Sequence, residues 1–258
     1  MHTWHWHNWE GLPYLTCNLL TPWPHGFFTQ QFWPRPPHEL TKVLQADAAA
    51  YRLKQVHGNT VLTPQEVDEH LNNSNDELAL ADGLISAGPL QAVWVASADC
   101  TPVLIGDVKI GQVAALHAGW RGTAAKIVPQ AIERMQSQGS KLQDLRIAMG
   151  PAIAGEVYQV SVEVAAEIGN TILPHNDPEK IVTALQDLPN SPLLLDTEPG
   201  KVRLDVRRVN VLQLQQLGIS GEQIAIAPYC TYQSSEHFFS YRREKEKKVQ
   251  WSGIVSLS

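Results

Sequence analysis

Apolar residues in this chain fall into short runs, and the spacing inside each run separates strands from helices. The most regular block begins at Ala81. Residues 81–86, 92–98, 102–106 and 112–117 each read as a strand, with turn residues between them. Asp107 to Gly111 forms a compact turn, so the last two strands are expected to make a hairpin. The stretch Ala92-Val93-Trp94-Val95-Ala96 is apolar without alternation, the pattern of a strand buried on both faces. Residues 145–149 and 224–227 read as further strands, the first ending at Gly150-Pro151 and the second leading into Cys230. Residues 1–20 read as two short strands joined by a turn, and residues 53–62 as a strand interrupted at His57-Gly58.

Helical spacing appears over 39–52, with Leu40, Val43, Leu44, Ala48 and Tyr51 on or near one side. A helix is predicted over 123–138, with Thr123 as its N-cap and a kink or delayed start at Pro129. Residues 161–170 form a short amphipathic helix. Residues 204–217 form another, with Val209, Leu212 and Leu217 inward and Gly218 closing it. The polar run 66–77 is a surface loop or short helix. Proline-bearing stretches at 21–26 and 34–37 read as loops, and 171–203 as an irregular excursion holding a short helix.

The length of 258 residues permits one large α/β-type domain or two small ones, and no repeat or clean boundary divides it. A hydrophobic content of 43% and a charged content of 18% argue for a packed core and against disorder. The formal net charge of −6 offers no general attraction to nucleic acid or anionic membrane. The cluster Arg242-Arg243-Glu244-Lys245-Glu246-Lys247-Lys248 interleaves both signs and reads as a solvated face. Cys17, Cys100 and Cys230 form no CxxC pair and no even disulfide framework. No stretch is apolar enough to span a bilayer, and no signal peptide is expected at the N-terminus, so a reducing cytoplasm is the expected compartment.

Three punctuated strand ends carry the chemistry. Ala98-Asp99-Cys100-Thr101-Pro102 and His117-Ala118-Gly119-Trp120-Arg121-Gly122 close two apolar runs, and Gln55-Val56-His57-Gly58-Asn59 lies upstream. Two imidazoles and a thiolate are the donors of a three-ligand zinc site that leaves a fourth position for water or substrate. The same atoms serve equally as a Cys nucleophile with a His base. Taken singly, Cys100 is a small core residue and His57 a polar turn residue, so the reading depends on whether His57, Cys100 and His117 converge. Asp99 is a candidate general base, an orienting partner for a ligating His, or a turn-capping carboxylate. Gly119 and Gly122 let the chain turn tightly into a helix, which puts His117 and Arg121 where an anion such as phosphate would sit. His5 and His7 share one face of a strand, a chelating spacing that reads more simply as part of an aromatic edge.

These segments, with Ala81-Asp82-Gly83, Gly150-Pro151-Ala152-Ile153, Cys230-Thr231 and Phe238-Phe239-Ser240-Tyr241-Arg242-Arg243-Glu244, resemble the laccase-domain family over roughly residues 50–258. Proteins of that family have been called multicopper polyphenol oxidases and are now regarded as purine nucleoside phosphorylases. The resemblance implies one α/β (α+β) domain over 1–258, with a mixed β-sheet core flanked by helices. It carries the zinc-ligand role onto His57, Cys100 and His117, with copper as the alternative ion. It implies phosphorolysis of adenosine, inosine, guanosine and S-methyl-5′-thioadenosine, with adenosine deamination as a second activity. The expected partners are then a purine nucleoside and phosphate, with Asp99 and Cys100 as the expected catalytic residues; from their charge, Arg121 and Arg242 are read as contacts to the anion, Arg242 alternatively as a salt-bridged strand-end residue.

One segment departs from the family pattern. Gln30 stands where the family has Arg, and the following paired Gly and the Ser-Leu-Asn-Leu motif are missing, which puts substrate binding in question rather than the metal site. Three rival readings remain. The first is a Cys–His hydrolase, such as an amidase that edits cell-wall precursors. The second is a copper polyphenol oxidase, for which a multinuclear His/Cys cluster is lacking. The third is a metal-stabilised binding protein without turnover.

Overall fold

The computed structural model describes residues 2–257; Met1 and Ser258, the ends of the expected domain, lie outside the described residues. An aromatic hairpin opens the chain. β1 (Trp4–Trp9) and β2 (Leu12–Cys17) pair antiparallel around Glu10-Gly11, where both residues take positive φ as a tight hairpin turn requires. Next come β3 (His25–Phe28), α1 (Pro37–Leu44), β4 (Ala49–Tyr51), β5 (Val61–Leu62), α2 (Pro64–Asn73) and β6 (Gly83–Ile85). The central block is β7 (Gln91–Ser97), β8 (Thr101–Asp107), β9 (Val113–Ala118), α3 (Trp120–Ala124), α4 (Ile127–Ser137) and β10 (Leu145–Met149). It is followed by β11 (Gln159–Ser161), α5 (Val162–Gly169), α6 (Pro178–Gln186), β12 (Leu193–Leu195) and β13 (Lys201–Leu204). The chain ends with α7 (Val206–Gln216), β14 (Ile224–Ile226), α8 (Tyr241–Glu244) and β15 (Gln250–Val255).

Two six-stranded sheets form the body, in the orders β1-β2-β3-β15-β7-β4 and β14-β10-β8-β9-β6-β5. Each mixes parallel and antiparallel pairs, so the expected α+β domain with a mixed-sheet core is what the chain builds. The sheets pack face to face. Val93, Val95 and Ile254 of the first meet Leu104, Val113, Ala115 and Ala148 of the second in one buried cluster. The alternate residues face outward: Ala92, Trp94 and Val255 pack with Leu40 of α1, and Val103, Ile105, Ala114 and Leu116 pack with α4. Both faces of β7 are therefore buried, as its unbroken apolar run predicts. Each fully buried Val, Ile or Leu side chain contributes roughly 1.5–3 kcal/mol, which is why the inner strands tolerate so few polar residues. A three-stranded sheet, β11-β13-β12, packs with α5 and α6 as a satellite.

Several local expectations change. The helix predicted over 39–52 stops at Leu44, Gln45 is extended, and 49–51 becomes β4 beside β7. Only Val61–Leu62 of 53–62 is a strand. The run 66–77 contributes to α2, whose start is fixed by a capping box between Thr63 and Glu66. Thr123 is not an N-cap. It lies within α3, and α4 restarts after Lys126, a left-handed residue, so that Pro129 falls in the first turn, where its missing N–H is not needed. Leu217 is 38% exposed rather than inward, while Val211 and Leu214 supply the buried face; Gly218 takes the expected left-handed closing position.

Candidate metal centre

The hairpin register explains why Cys100 and His117 meet. β8 and β9 pair with Thr101 opposite Ala118 and Pro102 opposite His117, so Cys100, one residue before β8, lies across from Gly119. A Cβ on Gly119 would sit 2.8 Å from the Cys100 sulfur and 3.6 Å from His57 Cδ2, so that position leaves no space for a side chain. On the other side of β9, β6 pairs with Gly83 opposite Leu116, and the His117 amide donates to the Asp82 carbonyl at 2.8 Å. Asp82 and Cys100 thus flank His117 on neighbouring strands at one end of the sheet.

His57 arrives through Asp82. The amides of Val56, His57 and Gly58 donate to the Asp82 carboxylate at 3.1, 2.9 and 2.7 Å, wrapping the 56–58 turn around it. His57 itself is held at φ 62°, a left-handed conformation uncommon outside Gly. Asp82 is fully buried, and it also accepts from His117 Nδ1 at 2.9 Å. One carboxylate therefore builds the His57 turn and orients the second imidazole.

The result is a compact set. Ligand atoms of His57, Cys100 and His117 lie within 4.8 Å of one another, the only such group of three among the described residues. With Nδ1 taken by Asp82, His117 presents Nε2 to the cluster, the arrangement of a ligating His with a carboxylate behind it. His117 is buried, Cys100 half-buried and His57 exposed, so the cluster opens to solvent on the His57 side. Burial alone would raise the Cys100 thiol, but the neighbouring His117 and His57 outweigh it and favour thiolate. Burial would likewise lower His117, and the Cys100 sulfur and Asp82 outweigh it in the other direction. The donor set and its support fit a three-ligand zinc or copper ion.

The other sequence-predicted residues lie around this cluster. Asp99, at φ 89°, directs its carboxylate away into the C-terminal segment, accepting from Thr231 Oγ1 and the Arg242 amide, both at 2.7 Å. Arg121 is exposed on α3, its guanidinium 4.5 Å from the Trp120 ring centroid. Arg242 places its guanidinium 4.8 Å from the Tyr158 ring centroid and donates from Nη1 to the Gln159 carbonyl at 3.1 Å. Burial, reinforced by Cys100 and Asp99 against Arg242 and Arg121, pushes the Tyr158 phenol up to about 12.

Other candidates lie elsewhere. Gln30 Nε2 and N donate to the carbonyls of Ser235 and His237, so this departure from the family pattern braces the chain that leads to Arg242. His5, His7, Cys17 and His25 line a separate hollow of about 360 Å³. His7 is paired with Thr16 Oγ1 at 2.9 Å. Cys230 is buried, accepting from the Ala154 amide at 3.2 Å. Asp82 and Tyr158 are the residues that sequence reasoning did not single out. An acidic residue at the start of an apolar strand was the available signal for Asp82; Tyr158 gave none.

Comparison with known proteins agrees with this geometry. A family model described as multi-copper polyphenol oxidoreductase laccase matches residues 37–257. A protein of Synechocystis named purine nucleoside phosphorylase is 54% identical over 259 residues, 98% of this chain and 97% of its own. A protein named adenosine deaminase, from an unknown prokaryotic organism, is 29% identical over 192 residues, 74% of this chain and 68% of its own. The crystal structure of YlmD from Geobacillus stearothermophilus shares the fold, with a TM-score of 0.81 at 23% identity, covering 98% of this chain and 99% of that one. The chain belongs to the family described as multi-copper polyphenol oxidoreductase laccase, the laccase-domain family that its motifs resemble.

Proposed function

We propose that this protein is a zinc-dependent purine nucleoside phosphorylase acting on adenosine, inosine, guanosine and S-methyl-5′-thioadenosine, with adenosine deaminase activity at the same centre. The observation that carries the reading is the convergence of His57, Cys100 and His117 at a solvent-open edge, braced by Asp82. The relatives named for these two activities support the choice of substrate. Held by these three residues, zinc would supply Lewis acidity and lower the pKa of water.

The chain's own groups have separable tasks in this reading. Phosphorolysis forms a bond from a phosphate oxygen to ribose C1′ and breaks the C1′–N bond, the base leaving with the electron pair and taking up a proton. Arg242 and Arg121 hold the phosphate, and Arg242, whose guanidinium gives one hydrogen bond to the Gln159 carbonyl, keeps further N–H donors for that task. Tyr158 stays protonated at neutral pH, so in this reading its hydroxyl is a donor to substrate rather than a base. With three free cysteines, the protein is proposed to work in a reducing cytoplasm.

Two specific observations favour other readings. Cys100, His117 and Asp82 line up as nucleophile, base and orienting carboxylate, the order of a Cys–His hydrolase. The description of the matched family favours copper and a phenol oxidase. Metal analysis joined to an adenosine assay with and without phosphate, on wild type, Cys100→Ala and His57→Ala, separates them. About one zinc per chain, lost in both variants together with phosphate-dependent adenine release and inosine formation, is the expected result. Metal-free wild type that alkylates rapidly at one cysteine overturns it in favour of the hydrolase. Bound copper with phenol oxidation overturns it in favour of the oxidase.

A further inference from the structure

Asp99 touches three segments that are remote in sequence. Its Oδ1 accepts from the Thr231 hydroxyl at 2.7 Å, its Oδ2 from the Arg242 amide at 2.7 Å, and its backbone carbonyl from the Ile153 amide at 2.9 Å. The residue is 9% exposed, and its φ of 89° is the left-handed conformation that non-Gly residues adopt at a cost of about 1–3 kcal/mol. Both carboxylate oxygens are thus engaged by protein donors, and the backbone is bent to bring them there. Cys100 follows immediately in the chain.

The two arginines that follow this latch are used in opposite ways. Arg243 spends its guanidinium on the carbonyls of Thr231, Tyr232 and Phe238 and on Glu244, which clasps the 231–244 segment to itself. The Arg242 guanidinium has one hydrogen-bond partner in the protein, the Gln159 carbonyl, and sits over the Tyr158 ring, 4.8 Å from its centroid. Most of its N–H donors remain available, and its backbone amide is the group that Asp99 holds. Asp99, next to Cys100, thus ties the Arg242 backbone to the Cys100 loop, while Gln159 and Tyr158 hold the guanidinium end.

We infer that Asp99 is a positioning residue: with Thr231 it latches the C-terminal segment to the Cys100 loop and so seats Arg242 as the phosphate-binding arm beside the metal centre. The assignment of phosphate rests on the function proposed above; the latch itself rests on geometry alone. The sequence offers Asp99 as a general base as well, and the kinetics of Asp99→Asn separate that role from the positioning one. Each carboxylate oxygen already accepts one protein donor, Thr231 O–H on Oδ1 and Arg242 N–H on Oδ2, and these two bonds tie the carboxylate to the latch.

Thr231→Val removes one latch bond at a buried site without touching a metal ligand, and Thr231→Ser restores the hydroxyl. Three readouts on wild type, both variants and Asp99→Asn test the inference: bound zinc, amide hydrogen exchange at Arg242, and steady-state kinetics with phosphate varied at saturating adenosine. The expected result for Thr231→Val is unchanged zinc, faster exchange at Arg242 and a KM for phosphate raised severalfold, with about 10- to 100-fold as the ceiling set by one hydrogen bond to a charged group. kcat changes little, and Thr231→Ser returns both exchange and KM toward wild type. Asp99→Asn raises the same KM while keeping the shape of the pH–rate profile. Unchanged Arg242 exchange in Thr231→Val overturns the latch, whatever the substrate proves to be. Faster exchange with an unchanged phosphate KM overturns the assignment of Arg242. A kcat loss in Asp99→Asn with a vanished acidic limb reinstates the general base. Wild type lacking any phosphate-dependent turnover refutes the proposed function and the phosphate arm with it, leaving the latch to be decided by the exchange data.

Discussion

Replacing Asp82 with Asn preserves the volume of the side chain and removes one of its two acceptor oxygens. In the native protein Oδ1 serves the His57 amide and His117 Nδ1, while Oδ2 serves the amides of Val56 and Gly58, at distances from 2.7 to 3.1 Å. Whichever way the amide is turned, two donors lose their acceptor and meet an NH₂ group. At about 1–3 kcal/mol for each buried donor left unsatisfied, the folded state loses about 2–6 kcal/mol, part of it recovered where the 56–58 turn can reach water. That is a large share of a total stability of about 5–15 kcal/mol. The same substitution frees His117 to rotate, and loss of such a support lowers metal affinity by about 10–100-fold. Urea unfolding of Asp82→Asn in chelator measures the first effect, and zinc competition against a chromophoric chelator measures the second. Wild-type urea midpoints together with zinc affinity within twofold of wild type would refute the reasoning, because the 56–58 turn and the His117 orientation would then have another source.

Gly119→Ala places a methyl group 2.8 Å from the Cys100 sulfur, so Cys100 must move; the expected outcome is a folded protein with less than a tenth of the wild-type zinc affinity, read by the same competition assay. Glu66 tests an electrostatic contribution far from the centre. Burial alone would raise its carboxyl, but Thr63 and the two-point contact from Arg134 outweigh it, so its folded pKa is lowered. A lowered folded pKa means stability that is present above the ordinary carboxylate range of about 4.3 and is lost as the pH falls through the folded value. Glu66→Gln should therefore cost about 1 kcal/mol or less at pH 7, given its partial exposure, and that difference from wild type in urea midpoint should shrink as the pH falls below about 4.3.

What the sequence reveals about this centre depends on how locally each feature is encoded. Cys100 and His117 are legible because Cys100 precedes one apolar run, His117 ends the next, and a short turn joins the two runs, which dictates that their strands pair as neighbours. β3 and β15 are not legible: β15 inserts between β3 and β7, a pairing between opposite ends of the chain that leaves no mark on either segment. The helix predicted over 39–52 fails for a different reason. Val43 and Leu44 of α1 and Ala48 and Ala50 around β4 all pack with the cluster around Trp94, so a turn from helix to strand keeps apolar residues on the core side and mimics helical spacing. The same distinction applies inside the site. The metal-ligating residue types are a property of composition and can be read, whereas Asp82 and Asp99 act through bonds to residues 24 to 143 positions away. The bonds they make show only in the folded chain, where His57 and Asp99 both hold left-handed backbone conformations that local preference opposes. Such conformations persist because buried carboxylate bonds over-determine them. Within the centre, this backbone cost falls on the two turns that bring His57 and Cys100 to His117.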